Sequence, residues 1–478
     1  MLIEVMPALI ADVDEKYLDE ICNRLSIEIP AQDGAYWVSR KERGVSDDLV
    51  QEAMAGPWPK ERFPQVAEWL AANEKFLDRL IDASRRTRFF VPVVCSDLSV
   101  AGIELSHAPL IRALLPAFDA EREIVYALTA RAMLRVEEKR FADARGDLTA
   151  AHRWSRFAGQ QPFLVDWLLS SNLEVAVCRA EVAFALHQEL SSRELGSLRT
   201  SWDDLPARLP LSEVFDRAER YVFLENVQLI SEGSALRLLE VFMALTADHQ
   251  PEPAVVFVAH IDFEKAGDAL AGLAWQIGTD WNGILREANG WFDRVVEAIE
   301  DPAPRERRRR LAKLGGEYEF PGSSLQDELH RRRVGNTLRL WARGQKIYIA
   351  ATVGTLSAYG EVMHDMIFAF MLPATAAAAH REFAVQATFD MTRIAIEIAA
   401  YRHEHGRLPG SLEDLVPGRL KELPRDPHSD KPYRYRRDGE GIVLYSVGRN
   451  GEDEQGTEPD PDTYTDGKLD DIAVRWTP

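Results

Sequence analysis

Residues 375–405, TAAAAHREFAVQATFDMTRIAIEIAAYRHEH, run into residues 406–451, GRLPGSLEDLVPGRLKELPRDPHSDKPYRYRRDGEGIVLYSVGRNG. The period of the apolar residues changes across that junction, and the change decides the fold. Up to Ala400 the run reads as one long helix. Phe383, Ala387, Phe389, Ile394, Ile396, Ile398 and Ala399 make it apolar around much of its circumference, so it should be buried on most sides. Gly406 is a helix stop. Leu408-Pro409 opens a turn, and Ser411 can cap a short helix over 412–415 with Glu413 and Asp414 in its first turn. Pro417, Pro424 and Pro427 enforce an extended, turning backbone. Tyr433 and Tyr435 alternate with arginines, Ile442 to Tyr445 supply a second strand, and Asp438-Gly439 is a natural hairpin turn between them. The prediction is a long helix packed on a small antiparallel sheet.

Upstream, the pattern is helical. Val66, Trp69, Leu70, Leu77, Leu80 and Ile81 lie at three- and four-residue spacings. Pro116 marks a boundary. Residues 128–137 and 141–157 read as an antiparallel helical hairpin, with Phe141, Ala144, Leu148 and Ala151 on one face. The hairpin resembles half of a tetratricopeptide repeat, although the glycine expected between its helices is replaced by Lys139 or Arg140, and no 34-residue recurrence follows. Residues 164–190 continue the pattern, with Ala176, Ala180 and Ala183 as small contact residues. Ser212 is placed to cap a further helix reaching Ile230. Residues 255–258 fit a strand, a buried helix or a linker equally. Gly315-Gly316 and Pro321-Gly322 frame a loop.

The chain has 478 residues, enough for several folding units, and 57 basic against 77 acidic residues give a net charge of −20. That field disfavours a general nucleic-acid surface. The dense basic block, Arg305 and Arg307 to Arg310, has Glu297, Glu300, Asp301 and Glu306 close by and reads as a solvated or interdomain charged surface. Cys22, Cys95 and Cys178 form no Cys-x-x-Cys pair, which argues against both a disulfide scaffold and a cysteine-rich zinc site. The best apolar stretch, 366–379, contains Pro373 and would cover only ~21 Å at about 1.5 Å per residue, short of the roughly 30 Å hydrocarbon layer. No transmembrane segment is expected.

Catalytic signatures are thin. His403 and His405 are two apart on a helix, point in opposite directions and suit a helix end better than a metal. His364 and His380 read as packed polar residues. Residues 354–360 lack a hydrolase elbow, and the glycines form neither a phosphate loop nor a dinucleotide fingerprint.

The carboxyl-terminal hundred residues resemble the soluble part of the major pseudopilin of type II secretion. The resemblance rests on the long helix leading to Tyr401, Gly406-Arg407-Leu408-Pro409, Leu415, Leu423-Pro424, Asp426-Pro427, Lys431-Pro432-Tyr433, Tyr435, the run Leu444 to Gly451, and Asp470-Asp471-Ile472. The whole chain also resembles large bacterial proteins of planctomycete type that place helical bundles before such an ending, a group to which the resemblance attaches no activity. A pseudopilin begins with a leader and an apolar polymerising helix. This chain begins with neither, so the resemblance implies a pseudopilin-like head used as a recognition or stabilising module. It also implies a structural calcium ion, wrapped by the loop after the final strand. Carried over, Asn450, Asp470 and Asp471 supply side-chain oxygens, and Leu444 and Val447 supply backbone carbonyls. Nine carboxylate residues between Arg449 and Asp471 suit that ion, whereas a solvated acidic loop is the alternative.

The expected fold class is α+β. A predominantly α-helical scaffold over 1–373, subdivided with tetratricopeptide-like hairpins, is followed by a pseudopilin-like α/β domain over 374–478. The expected function is a noncatalytic protein-binding or scaffold protein, associated with the bacterial envelope, that takes a protein or peptide partner or forms a homo-oligomer. The alternative is a hydrolase whose active site is assembled between helices.

Overall fold

The computed structural model describes residues 37–86, 94–95, 113–114, 117–232, 279–318, 367–368, 375–457 and 470–476. In chain order the helices and strands are α1 (Asp47–Met54), α2 (Pro64–Ala72), α3 (Glu74–Ser84), β1 (Val94–Cys95), β2 (Ala113–Leu114), α4 (Ala117–Glu137), α5 (Phe141–Ala158), α6 (Leu164–Ala185), α7 (Ser192–Asp203) and α8 (Leu211–Val214). A π turn (Phe215–Glu219) joins α8 to α9 (Arg220–Glu232). Then follow α10 (Trp281–Ile299), α11 (Pro304–Tyr318), α12 (Thr375–His405), a 3-10 turn (Leu412–Leu415), β3 (Arg434–Asp438), β4 (Gly441–Ser446) and β5 (Ile472–Trp476). They divide into two compact units. The first comprises residues 1–92, 115–210 and 380–478; the second comprises 93–114 and 211–379.

In the first unit, local chemistry sets the helix ends. The Ser46 hydroxyl accepts from the Leu49 N–H and caps α1. Pro64 opens α2, where its missing N–H costs nothing. Asn73, between α2 and α3, bonds the Val38 backbone in both directions at 2.9 Å. The α4–α5 hairpin turns at Lys139, which adopts φ 60°, the left-handed conformation that glycine would occupy without strain. Buried Asp147 on α5 then bridges Arg131 and Arg135 of α4, each at 2.7 Å. Indole N–H groups tie further helices together: Trp58 donates to the Ala130 carbonyl and Trp154 to that of Leu80.

The carboxyl-terminal elements join the same core. Ile394, Leu408, Leu412, Leu415, Tyr433, Ile442, Leu444 and Val474 belong to one apolar cluster with Leu77, Leu128, Leu148 and Val177. The sheet is antiparallel, in the order β3-β4-β5. The long helix, the capped 412–415 turn and the first two strands follow the sequence reading. Three details differ. The hairpin turn is Gly439-Glu440, with Asp438 still paired to Gly441. Gly439 takes φ 60°, the first central position of a II′ turn. A third strand, β5, follows Asp471.

In the second unit, α9 and α10 pack through Phe223 and Phe292, with ring centroids 6.0 Å apart, and Phe223 also meets Phe368 at 5.6 Å. Ser212 lies inside α8 and does not cap it, because the helix starts one residue earlier. The π turn absorbs the change of register into α9. On α11, Arg310 pairs with Glu297 and Asp301, and Arg309 with Glu306, which fits a charged surface neutralised within its own unit. Helix α11 continues through Gly315-Gly316, where the sequence suggested a loop. Among the described residues, no helix is long and apolar enough to cross a membrane. His364 and the segments 255–258, 321–322 and 354–360 lie outside the described residues.

Candidate functional site

Two places in the first unit carry more chemistry than packing requires. One is the acidic loop after β4; the other is a groove beside β5.

The loop begins where β4 ends. Gly448 turns with φ 63°, and a Cβ there would strike the Asp470 carbonyl and Oδ1. This close approach lets Asp470 accept the Asn450 N–H at 2.9 Å. The Asn450 amide donates to Glu454 Oε1 at 2.6 Å, and its own oxygen accepts the Glu452 N–H at 2.7 Å. Asp471, almost fully buried, accepts the Gly456 N–H at 2.7 Å. Among the described residues, each of Glu454, Asp470 and Asp471 keeps one buried carboxylate oxygen that no backbone or neutral side-chain donor reaches. Burial raises the pKa of Asp470, and repulsion from Glu454 adds to it. Burial first, then a hydrogen bond and repulsion from Glu454, push Asp471 up to about 7.

Of the expected ligands, Asn450 and Asp470 are brought together, and Asp471 meets the same Glu454 that accepts from Asn450. Leu444 sits mid-strand in β4, opposite both Tyr435 and Val474. Val447 follows the strand, and its N–H points at Asp426. Glu454 is the residue that sequence reasoning did not single out. Among the described residues, no group of three or more His, Cys, Asp or Glu side chains is arranged to hold a metal ion. Every candidate donor atom is oxygen, the donor type a hard cation takes, and among the described residues three buried carboxylate oxygens are reached by no backbone or neutral side-chain donor.

Below the loop, Asp426 fixes the sheet. Its buried carboxylate accepts from the His428 N–H (2.9 Å), the Ser446 hydroxyl (2.8 Å), the Ser429 hydroxyl (3.0 Å) and the Val447 N–H (3.4 Å). Tyr433 donates to Asp390 of α12 at 3.0 Å, and Tyr435 to the Pro409 carbonyl at 3.0 Å. These bonds give the Asp-Pro and Lys-Pro-Tyr stretches a structural purpose.

The groove has a volume of about 840 Å³. The end of α1, the outer part of α6 and strand β5 form its walls, with Met54, Ala183, Leu186 and Val474 among the apolar contributors. Arg179, Arg475 and Glu189 supply charge. Arg402 anchors the far end of β5: its guanidinium lies over the Trp476 ring, 4.6 Å from the centroid, and donates to the Leu186 carbonyl at 2.8 Å. A smaller cavity of about 460 Å³ lies between α7 and α12. Its charges are met internally, with Glu397 paired to Arg419 and Arg199, and Arg419 paired to Glu404.

His152, Glu181 and Cys178 line neither cavity. His152 Nε2 lies 2.9 Å from Glu181, both inaccessible to solvent, and the imidazole packs against Trp202. Cys178 is buried beside them, and burial, reinforced by Glu181, raises its pKa and keeps it a thiol. His405 bonds the Tyr401 carbonyl at 3.0 Å and stacks on its ring at the end of α12.

Compared with known proteins, the chain matches no family model, no curated protein and no solved structure.

Proposed function

We propose that this chain is a noncatalytic protein-binding or scaffold protein whose partner seats in the groove between α6 and β5. The observation that carries the reading is the groove itself. A cavity of about 840 Å³ is within the size range of ligand sites, and it is walled by a helix face and the outer strand of a sheet. Peptide recognition reuses such surfaces because a helix face supplies apolar contact and a strand supplies backbone hydrogen bonds. The carboxyl-terminal domain is, in this reading, a pseudopilin-like head that serves recognition at the bacterial envelope. Its acidic loop holds a structural calcium ion through Asn450, Asp470 and Asp471, with Glu454 joining them and the Leu444 and Val447 carbonyls nearby. The carboxylate oxygens that no backbone or neutral side-chain donor reaches support that part. Bound there, the ion would neutralise repulsion and couple loop order to folding.

The test of the groove is Ala183→Trp, which adds an indole at a half-buried, groove-lining position of α6. Light scattering first establishes whether the chain is a monomer or self-associates. Capture under native conditions then compares wild type and variant. The reading expects a partner, a second copy included, that is lost on Ala183→Trp while the melting temperature stays within a few degrees. An equal partner yield from both proteins would overturn it.

A further inference from the structure

Three arginines of the first unit gather where α6 meets Arg381 of α12 and the segment 204–210. Arg156 and Arg208 share one buried carboxylate: Arg156 Nε donates to Glu174 Oε1 at 2.7 Å, and Arg208 Nε lies 2.9 Å from Oε2. Arg208 also donates from Nη2 to the Ser171 hydroxyl at 3.0 Å. Its guanidinium lies over the rings of Trp167 and Phe389, 5.4 and 5.7 Å from their centroids. The next residue of α6, Asn172, is exposed, and its amide oxygen accepts from Arg381 Nη2. Two successive residues of one helix therefore bring the Arg208 and Arg381 guanidinium groups close together.

This corner is short of both counter-charge and acceptors. Glu174 serves two arginines at once, and Glu382 adds attraction at Arg208. Among the described residues, no carboxylate pairs with Arg381. It donates to a neutral amide, and its Nε is buried without a partner. Burial first, then repulsion from Arg179 and Arg208, lowers the Arg381 pKa to about 10. A half-buried guanidinium in that state costs stability until an anion meets it.

We propose that Arg208 and Arg381, with the Asn172 amide N–H donating beside them, bind the phosphoryl group of inorganic phosphate or of a phosphomonoester. A tetrahedral oxyanion offers separate oxygens to two guanidinium forks, whereas a planar carboxylate is filled by one. A dianion also matches the charge of two forks. The rings and the Glu174 and Ser171 contacts hold the Arg208 guanidinium in place beforehand, so little side-chain freedom is lost on binding. Neither arginine nor Asn172 lines the groove beside β5, so this site stands or falls separately from the partner reading.

The experiment is isothermal titration of the full chain in buffer free of phosphate and sulfate. Inorganic phosphate and phenyl phosphate are the probes, and sodium chloride at matched ionic strength is the control. Wild type is compared with Arg381→Gln and Asn172→Ala; Arg208 stays intact because its contacts also hold the fold. The proposal expects saturable heat from at least one probe, a loss of about 10-fold or more in Arg381→Gln, and a smaller loss in Asn172→Ala. Melting gives a second readout that a purely structural arginine would not move in this direction. Without an anion, Arg381→Gln should melt no lower than wild type, since it removes an uncompensated charge, and the tighter probe should raise the melting temperature of wild type alone. Either order of affinity supports the site, and the order tells whether the phosphoryl group arrives free or on an ester. No saturable heat from either probe at tens of millimolar, heat that chloride reproduces, equal binding by Arg381→Gln, or a lower anion-free melting temperature in that variant would overturn the proposal.

Discussion

Replacing Asp426 with alanine should loosen the carboxyl-terminal sheet more than any other single truncation there. The carboxylate is 1% exposed and accepts four hydrogen bonds. They are unequal. The Ser429 hydroxyl is partly exposed and can turn to water, and the Val447 N–H is already long at 3.4 Å. The His428 N–H at 2.9 Å and the Ser446 hydroxyl at 2.8 Å are buried and short. A hydrogen bond to a charged group contributes about 1.5–3 kcal/mol, so losing these two costs about 3–6 kcal/mol. Relief of the buried charge offsets part of that and leaves about 3–4 kcal/mol. Asp426→Asn keeps one acceptor oxygen and should lose about half as much. Ser446→Ala should lose about 1 kcal/mol, and the double variant should fall short of additivity by a similar amount, since one bond cannot be lost twice. Native-state hydrogen exchange at residues 442–447 reads the local opening free energy without assuming that both units unfold together. A loss below about 1 kcal/mol for Asp426→Ala, or full additivity with Ser446→Ala, would refute the reasoning.

Other outcomes follow from the loop and the hairpin. Asp471 has a folded pKa raised to about 7 from an ordinary 3.8, so the folded state holds its proton longer than the unfolded chain. Its contribution is therefore full below about pH 4 and is lost as pH rises through about 7. Melting curves should show that decline, and Asp471→Asn should flatten it. Calcium added at pH 8 after chelator treatment should raise the melting temperature and give saturable heat in titration; Asp470→Ala should abolish both effects. Gly448→Ala places a Cβ against Asp470 at φ 63° and should cost at least about 1–2 kcal/mol, visible in the same exchange experiment. Lys139→Gly relieves a left-handed lysine and should stabilise the α4–α5 hairpin by up to about 1 kcal/mol in urea titration, since the Lys139–Glu189 pair it removes is exposed.

What the sequence made legible was local. The 31-residue helix α12, the Ser411-capped turn and the β3–β4 hairpin each declare themselves within a few residues, through apolar spacing, a capping hydroxyl and a glycine. Strand β5 was also written locally, because Ile472, Val474 and Trp476 alternate with Ala473 and Arg475. The signal is only five residues long and follows an acidic stretch that drew the reading toward a loop. Lys139 shows a different limit. The sequence lacks the glycine expected there, and the tertiary packing of α4 on α5 holds the lysine in a conformation its own preferences oppose. The groove was beyond local reading, since its walls come from residues near 54, 183 and 475, and no spacing rule joins them. Glu454 escaped for a similar reason: one carboxylate among nine in the segment, it is distinguished by its contacts with Asn450 and Asp471.

The groove beside β5 is where we propose that this protein binds. Hydrogen–deuterium exchange of the full chain, with and without the partner captured on it, tests this most directly. Exchange should slow at residues 473–476 and along 179–189 of the facing wall, with Ala183→Trp abolishing both effects. Protection confined to another surface, or unchanged exchange along β5 at a saturating partner concentration, would contradict it.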